Sequence, residues 1–171
     1  MERFSIDTKD DNPQLYYEHI HRYLLAKEII KGGTALDLAC GSGYGSSILA
    51  GAAKKVIGVD VSEEAISLAK TLYAKPNLEF KKATCENTRI RKGSIDYIIS
   101  FETIEHIDDP TLLLDEIERL LKAKGILVIS SPNKLEYTDN TGARNEYHKK
   151  EFYHEEFTQM LSDRYKYCVF G

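Results

Sequence analysis

The chain has 171 residues, a formal net charge of -4 and a pI of about 5.8. This length is enough for one domain with a substantial core and too short for two. Hydrophobic residues make up 42% and charged residues 29%, which is ordinary for a globular protein. The acidic balance argues against a broad nucleic-acid surface, although it does not exclude contact with a nucleic-acid end.

Cysteine usage and the N-terminus favour a cytoplasmic protein. Cys40, Cys85 and Cys168 are odd in number and far apart, so neither a disulfide framework nor a zinc site is expected. Met1 is followed by charged and polar residues rather than the apolar segment of a secretion signal. No apolar run approaches membrane-spanning length, so no membrane partner is expected.

The chain order predicts a flexible N-terminal arm over residues 1–13 and one domain over 14–171. Apolar residues recur at helical spacing from Gln14 to Ile30, and Gly32-Gly33 ends that helix. Strands and helices then alternate. The predicted strands are Thr34–Ala39, Lys55–Asp60, Leu78–Lys82, Ile95–Phe101, a segment from Gly125 to Pro132, and Tyr165–Val169; the predicted helices between them are Tyr44–Ala52, one capped by Ser62 and ending near Leu72, Pro110–Lys122 and Lys149–Ser162.

This alternation predicts an α/β fold with a doubly wound, mostly parallel sheet and helices on both faces. Ligands of such sheets bind beyond the carboxyl ends of the strands, where the strand order reverses. The last segment, YKYCVFG, provides only one strand of a C-terminal hairpin. The resulting bare sheet edge predicts a homodimer or fusion to a further segment.

The segment LDLACGSGYG, from Leu36 to Gly45, joins the first strand to its helix. Its glycines allow a ligand to approach the main chain, while a tight turn without a ligand is the alternative. Asp60 ends the second strand nineteen positions after Gly41, which suits hydrogen bonds to a ribose diol. Ser46 replaces the third glycine of a dinucleotide loop, and Asp37 suits a ligand with a cationic amino group.

The segments LDLACGSGYG, VIGVDVS, SIDYIISFETIEHIDDP, LLLDEIERLLKAKGILVISSPN and NEYHKKEFYHEEF follow one another in an order that resembles the class I S-adenosylmethionine-dependent methyltransferases. Their fold is Rossmann-like. The similarity extends to small O-methyltransferases with an E-x-x-E-H segment after the fourth strand. The resemblance implies cofactor contacts from Tyr16, Arg22, Asp37, Ala39, Gly41, Gly43, Asp60, Val61, Thr84, Cys85 and Phe101.

The resemblance also assigns roles within that set. Arg22 would pair with the cofactor carboxylate, Asp60 would hold the ribose hydroxyls, and Val61 would lie against the adenine. Two positions depart from the family pattern. Ala39 stands where a glycine is usual, with little expected effect, and Thr84 stands where an aspartate usually contacts the adenine amino group, which would weaken affinity.

The catalytic candidates Glu102, Glu105 and His106 follow the fourth strand, and in one helical turn they would share a face. Two carboxylates and an imidazole suit Mg²⁺ or Mn²⁺, with His148 as a fourth ligand. A similar pattern occurs in metal-dependent RNA-end 2′-O-methyltransferases and ubiquinone-pathway O-methyltransferases. A metal-free general base and a purely structural role remain alternatives, and His148 has packing beneath the last helix as its own alternative.

The sequence therefore predicts an S-adenosylmethionine-dependent methyltransferase acting on a hydroxyl of a small molecule, sugar or glycan, with a divalent metal as a candidate cofactor. Methylation of an RNA terminus is an alternative that the acidic pI disfavours. A cofactor-binding module without catalysis is another, against which the intact acidic and histidine residues argue. A nicotinamide-dependent oxidoreductase fits the fold, but the spacing of the glycine loop disfavours it.

Overall fold

The computed structural model of the protein describes residues 13–142 and 144–171. The sequence-predicted arm therefore lies outside the described residues except for Pro13, which begins the first helix. The described chain contains five α-helices: α1 (Pro13–Ile29), α2 (Tyr44–Leu49), α3 (Glu63–Leu72), α4 (Pro110–Leu120) and α5 (His154–Ser162). A 3₁₀ turn spans Ile104–His106, and a π-helix spans Leu135–Asp139.

Five strands form one sheet: β1 (Thr34–Leu38), β2 (Lys55–Asp60), β3 (Leu78–Lys82), β4 (Ile95–Phe101) and β5 (Leu121–Ser130). Their order is β3-β2-β1-β4-β5, and all four pairings among the described residues are parallel. The order reverses at β1, so the crevice beyond the carboxyl ends of β1 and β4 is the switch point. The α/β, doubly wound fold predicted from the alternating pattern is confirmed.

Side chains of successive strand residues point to opposite faces, and each face is covered by helices. Ala35 of β1 faces a cluster that includes Tyr23 of α1 and Leu49 of α2. Leu36, its neighbour, faces the cluster that includes Ile117 of α4. Both clusters consist of apolar residues withdrawn from water, which is the main stabilising term for such a sandwich.

Three boundaries differ from the sequence predictions by three residues or more. Helix α2 ends at Leu49, β5 begins directly after α4 at Leu121, and α5 begins at His154. The first residue of β5 pairs with Ile95 before a register irregularity, a pairing that no local pattern signals. Boundaries of this kind depend on tertiary pairing rather than on periodicity.

The strand predicted over Tyr165–Val169 is wrong. These residues lie outside every described helix and strand, with Tyr167 85% and Val169 100% exposed. Alternating residues form a strand only where a neighbouring strand or a buried face stabilises them, and this segment has neither in the described chain.

Among the described residues, no helix combines the length and the apolar character that crossing a bilayer requires.

Candidate active site

The three glycines of the loop after β1 have three different surroundings. A Cβ added at Gly45 would lie 2.1 Å from the Tyr23 ring, and one added at Gly43 would lie 2.6 Å from Phe80. A Cβ added at Gly41 would have no heavy atom of the described chain within 4 Å. Gly45 and Gly43 are therefore required by protein packing, whereas Gly41 (φ 52°) faces open space at the switch point.

Asp37 anchors the start of this loop through hydrogen bonds to two neighbouring helices. Its carboxylate is fully buried and accepts hydrogen bonds from the Tyr23 hydroxyl at 3.0 Å and the Ser46 hydroxyl at 2.6 Å. Burial raises its pKa from the ordinary 3.8 to about 7, and the two hydrogen bonds act in the opposite direction. Asp37 ties β1 to α1 and α2, and the resemblance-based assignment of this residue to the cofactor stays a prediction.

Asp60 joins the end of β2 to the glycine loop. Its Oδ2 accepts from the Gly41 N–H at 3.0 Å, and its Oδ1 accepts from the Ser62 N–H at 2.8 Å. Ser62 caps α3 with its own hydroxyl, which accepts from the Ala65 N–H. Each carboxylate oxygen can accept a second hydrogen bond, so the acid retains capacity for a ligand diol. Val61, beside it, is 49% exposed at the same edge.

Four further residues of the predicted cofactor set lie at or just after the ends of β1, β3 and β4. The Cys85 side chain is buried in the core, in contrast to Ala39, Thr84 and Phe101. Ala39 adopts a left-handed backbone (φ 56°), the conformation that favours the glycine usual at this position. Thr84 is exposed, and Phe101 contacts the Tyr23 ring edge-to-face at 5.1 Å. Cys85 instead packs in the apolar core, where burial raises its thiol pKa to about 12.

Arg22, on α1, carries a polar atom with no protein partner. Its Nη2 lies 3.9 Å from Oε1 of Glu102, whereas its Nη1 is buried and makes no hydrogen bond within the described chain. Glu102 has a left-handed backbone (φ 49°) and accepts from the Ser130 hydroxyl at 2.6 Å. An unpaired buried guanidinium nitrogen costs free energy, which an anionic ligand group would recover. Tyr16, six residues earlier on the same helix, makes an edge-to-face contact with Tyr17.

Glu105, His106 and His148 form a separate cluster, in which one ligand atom from each side chain lies within 4.8 Å of the others. Glu102 is not part of this group, because it precedes the 3₁₀ turn in a left-handed conformation. The expectation that residues 102, 105 and 106 share one helical face is therefore wrong, since the segment is not an α-turn. The structure brings together three of the four predicted metal ligands.

Glu105 is fully buried, and only one of its two carboxyl oxygens accepts a hydrogen bond within the described chain. Its Oε2 accepts from the Ser131 hydroxyl at 3.2 Å, and its Oε1 has no hydrogen-bond partner among the described residues. Burial, and after it the charge of Glu102, raises its pKa from the ordinary 4.5 to about 8. A buried carboxylate oxygen without a donor is rare in native proteins and indicates a site for a ligand, an ion or a proton.

Both imidazoles of the cluster are held through Nδ1. His106 Nδ1 lies 2.9 Å from the Tyr147 carbonyl, and His148 Nδ1 lies 2.7 Å from Oε1 of Glu151. Carbonyls and carboxylates only accept, so each Nδ1 carries the proton, and the neutral ring keeps its lone pair on Nε2. Burial lowers the pKa of His106. The arrangement presents two Nε2 lone pairs and a carboxylate, a set that suits a divalent cation or a proton relay.

The sequence predictions missed the residues that orient this site. They are the hydroxyl donors Tyr23, Ser46, Ser130 and Ser131, and the carboxylate of Glu151. The position of Ser130 and Ser131 at the carboxyl end of β5 is a usable signal, because that end shares an edge with β4. A carboxylate three residues after a candidate histidine ligand is a second signal.

A family model described as a methyltransferase domain matches residues 29–169. The chain belongs to this methyltransferase family. A probable S-adenosylmethionine-dependent methyltransferase of Mycobacterium tuberculosis is 28% identical over 151 residues, which cover 88% of this chain and 52% of that protein. A ubiquinone biosynthesis O-methyltransferase of Pelagibacter ubique is 33% identical over 108 residues, covering 61% of this chain and 44% of that protein.

The fold of this methyltransferase matches solved structures as well. The YcgJ protein of Bacillus subtilis aligns with a TM-score of 0.74 at 21% identity, covering 85% of this chain and 68% of that one. The resemblance to class I S-adenosylmethionine-dependent methyltransferases is confirmed. The chain spans about half the length of the curated relatives it matches.

Proposed function

We propose that this protein transfers the methyl group of S-adenosylmethionine to a hydroxyl of a small molecule, sugar or glycan. The observation that carries the proposal is the placement of two unlike sites at one sheet edge. An open glycine face with a diol-accepting acid lies at β1 and β2, and a cluster suited to activating oxygen follows β4.

The residues at β1 and β2 fit the methyl donor. Gly41 leaves its face open to the main chain, Asp60 can accept from the ribose hydroxyls, and Val61 offers an apolar surface to the adenine. The unpaired Nη1 of Arg22 can bind the donor's carboxylate. These contacts hold the sulfonium at the crevice and leave the chemistry to the β4 side.

The transfer is an in-line displacement at the methyl carbon. The acceptor oxygen forms the new C–O bond as the C–S bond breaks, and the sulfonium becomes a neutral thioether. The acceptor must also lose its hydroxyl proton, and we assign that proton to Glu102, which follows β4 at the carboxyl edge of the sheet and is held there by the Ser130 hydroxyl. The charge of Glu102 acts on the pKa values of both Glu105 and His106, which indicates its proximity.

Glu105, His106 and His148 fit a divalent cation, because both imidazoles present Nε2 and the orphaned Glu105 oxygen has the required lone pairs. A Mg²⁺ or Mn²⁺ ion bound there would lower the pKa of an acceptor hydroxyl. Glu105 and the two histidines would hold the ion, and Ser131 would keep the carboxylate in place.

Two titrations test the proposal on the purified chain. Calorimetry with S-adenosylhomocysteine and with NAD should show binding of the first alone. Paramagnetic resonance of Mn²⁺ should show binding that Glu105→Gln and His148→Ala weaken at least tenfold, while S-adenosylhomocysteine binding is retained. His154→Ala, at an exposed histidine, is the matched control. Binding of NAD in place of S-adenosylhomocysteine contradicts the methyl donor, and unchanged Mn²⁺ affinity in both variants contradicts the metal.

The acceptor class requires a transfer assay. Radiolabelled S-adenosylmethionine should label hydroxylated small molecules or saccharides. Label confined to RNA termini would instead support the RNA alternative, and binding of the donor without any transfer would support a non-catalytic module. The predicted cytoplasmic location and the predicted homodimer or domain fusion remain predictions that these assays do not address.

A further inference from the structure

His148 reaches the cluster from a distant segment of the chain. Its main chain is placed by its own N–H, which donates to the Asn145 carbonyl at 3.1 Å, and by the next two N–H groups, of Lys149 and Lys150, which donate to the Glu105 carbonyl at 2.7 and 3.1 Å. These bonds locate the backbone, but they do not fix the rotation of the imidazole ring. The direction of the His148 Nε2 lone pair must therefore be set by side-chain contacts.

Glu151 supplies such a contact. Its Oε1 accepts from His148 Nδ1 at 2.7 Å, and its Oε2 accepts from the Thr138 hydroxyl at 2.6 Å. The side chains of His148 and Glu151 are only 7% and 13% exposed, so water competes weakly for these bonds. Thr138 lies on the π-helix, which means that the carboxylate is held from both ends before it orients the ring.

The second histidine is oriented differently. His106 donates from Nδ1 to a main-chain carbonyl, that of Tyr147, which no side-chain substitution removes. The two rings lie 5.0 Å apart in an edge-to-face arrangement, so a rotation of one ring displaces the lone pair relative to the other. Among the described residues, Glu151 is accordingly the side chain that hydrogen-bonds to an imidazole of the pair and can be deleted by mutation, while the Tyr137 ring packs against His148 with 5.3 Å between the centroids.

We propose that Glu151, held by Thr138, is a positioning residue that fixes the tautomer and rotation of His148 and so completes the Glu105–His106–His148 cluster. The inference rests on the proposed function, because it concerns the metal site assigned there. Carboxylates that accept from the far nitrogen of a ligating histidine typically change metal affinity by about 10–100-fold when removed. Glu151 itself contributes no metal ligand in this proposal.

The first test needs no metal. Long-range ¹H–¹⁵N correlation spectra distinguish a histidine protonated at Nδ1 from one protonated at Nε2. In the parent protein His148 should be in the Nδ1–H form. In Glu151→Ala the signal should shift toward the Nε2–H form, and Glu146→Gln, an exposed acid in the same segment, should leave it unchanged. An unchanged His148 signal in Glu151→Ala overturns the inference.

The second test measures Mn²⁺ affinity. Glu151→Ala should weaken binding by about 10–100-fold and Glu151→Gln by less, because the amide oxygen can still accept from Nδ1. Thr138→Val should have a smaller effect than either. S-adenosylhomocysteine affinity should stay within about twofold of the parent in all three variants, which is much less than the expected loss of Mn²⁺ affinity in Glu151→Ala. If Glu151→Ala does not fold, Glu151→Met, which keeps the side-chain length and removes the oxygen acceptor, replaces it in both tests.

The two failures are distinguishable. Mn²⁺ affinity that His148→Ala and Glu105→Gln weaken, but Glu151→Ala and Glu151→Gln leave unchanged, overturns the role of Glu151 and leaves the metal site intact. Mn²⁺ affinity that none of these variants changes overturns the metal site and this inference with it.

Discussion

The loop after β1 and the cluster after β4 lie at the same edge of the sheet but differ in how their polar groups are satisfied. In the loop, both oxygens of Asp37 and both oxygens of Asp60 accept hydrogen bonds from the protein. In the cluster, Glu105 keeps one oxygen without a donor in the described chain, and two histidines keep free Nε2 lone pairs.

This difference shows which part of the site the protein completes by itself. The acidic side chains of the loop region are satisfied by hydrogen bonds within the protein. The open face at Gly41 is the feature of the loop that a bound ligand would explain. The cluster retains unsatisfied polar atoms, which cost stability and are tolerated where function requires them. Removing a polar group should therefore lower the free energy of unfolding when the group is in the loop and raise it when the group is in the cluster.

The largest effect is expected at a packing glycine of the loop. Gly45→Ala places a methyl group 2.1–2.4 Å from atoms of the Tyr23 ring, whose hydroxyl donates to Asp37. Overpacking should lower the free energy of unfolding by about 3 kcal/mol, despite the better helix propensity of alanine. Urea denaturation measures this change. A variant as stable as the parent would show that Gly45 is not confined by Tyr23.

Glu105→Gln should act in the opposite direction. The native state keeps a proton on Glu105 that the unfolded chain releases between pH 4.5 and about 8, so the parent loses stability as pH rises through that window. The glutamine of the variant does not titrate, so the variant does not lose this stability as the pH rises. Without divalent ions the variant should gain about 2 kcal/mol at pH 8 and almost nothing near pH 4.5.

Denaturation in the presence of a chelator at both pH values checks this prediction. Glu28→Gln, at an exposed position of α1, should show no comparable pH dependence. A lower stability of Glu105→Gln at pH 8 would mean that the carboxylate is satisfied in the native protein, and the contrast between the two regions would disappear.

Ser46→Ala should be destabilising, because it leaves an oxygen of the buried Asp37 without its donor. The expected loss is about 1–2 kcal/mol after the small gain in helix propensity. Ser47→Ala, the adjacent position of the same helix, matches that propensity gain and serves as control. Equal unfolding free energies for the two variants would show that the hydrogen bond from Ser46 to Asp37 does not stabilise the protein.

Gly41→Ala should change binding more than folding. The added methyl meets no atom of the described chain within 4 Å, but it occupies the face that the donor approaches. Affinity for S-adenosylhomocysteine should fall at least tenfold, about 1.4 kcal/mol. Gly93→Ala carries the same left-handed backbone cost (φ 60°) in open space away from the crevice. Equal affinities in the two variants, measured by calorimetry, would place the ligand elsewhere.

The smallest effect is expected for Ala39→Gly. Glycine removes the cost of about 1 kcal/mol that a side chain has at φ 56°, and its greater freedom in the unfolded chain offsets part of the gain. The net stabilisation should be below about 1 kcal/mol. Thermal unfolding in paired scans can resolve it, and a loss of stability would indicate that the methyl group packs favourably.

Much of this arrangement could be predicted from the sequence, because it depends on local patterns. Strand and helix periodicity located all five strands of the sheet, and the glycine loop with Asp60 located the switch point. Parallel strands place their carboxyl ends at one edge, so the approach of Glu105 and His106 to the loop follows from the strand pattern.

The remaining features depend on contacts between distant residues. The Tyr147 carbonyl lies 41 positions from the His106 that it orients, and no periodicity relates the two. The left-handed backbone of Glu102, between β4 and the 3₁₀ turn, is a second feature that no local sequence pattern indicates. The absent C-terminal strand has the same cause, since alternation alone does not supply a pairing partner.

The two hydrogen bonds from Lys149 and Lys150 to the Glu105 carbonyl fasten one stretch of chain over the Glu105–His106–His148 cluster, to which the same stretch contributes His148. Lifting that stretch would withdraw an imidazole and admit water to the glutamate in a single movement. Under the proposed function, an acceptor that displaced this stretch on entry would also remove His148 from the cluster, so we expect acceptors that reach the cluster with the stretch in place.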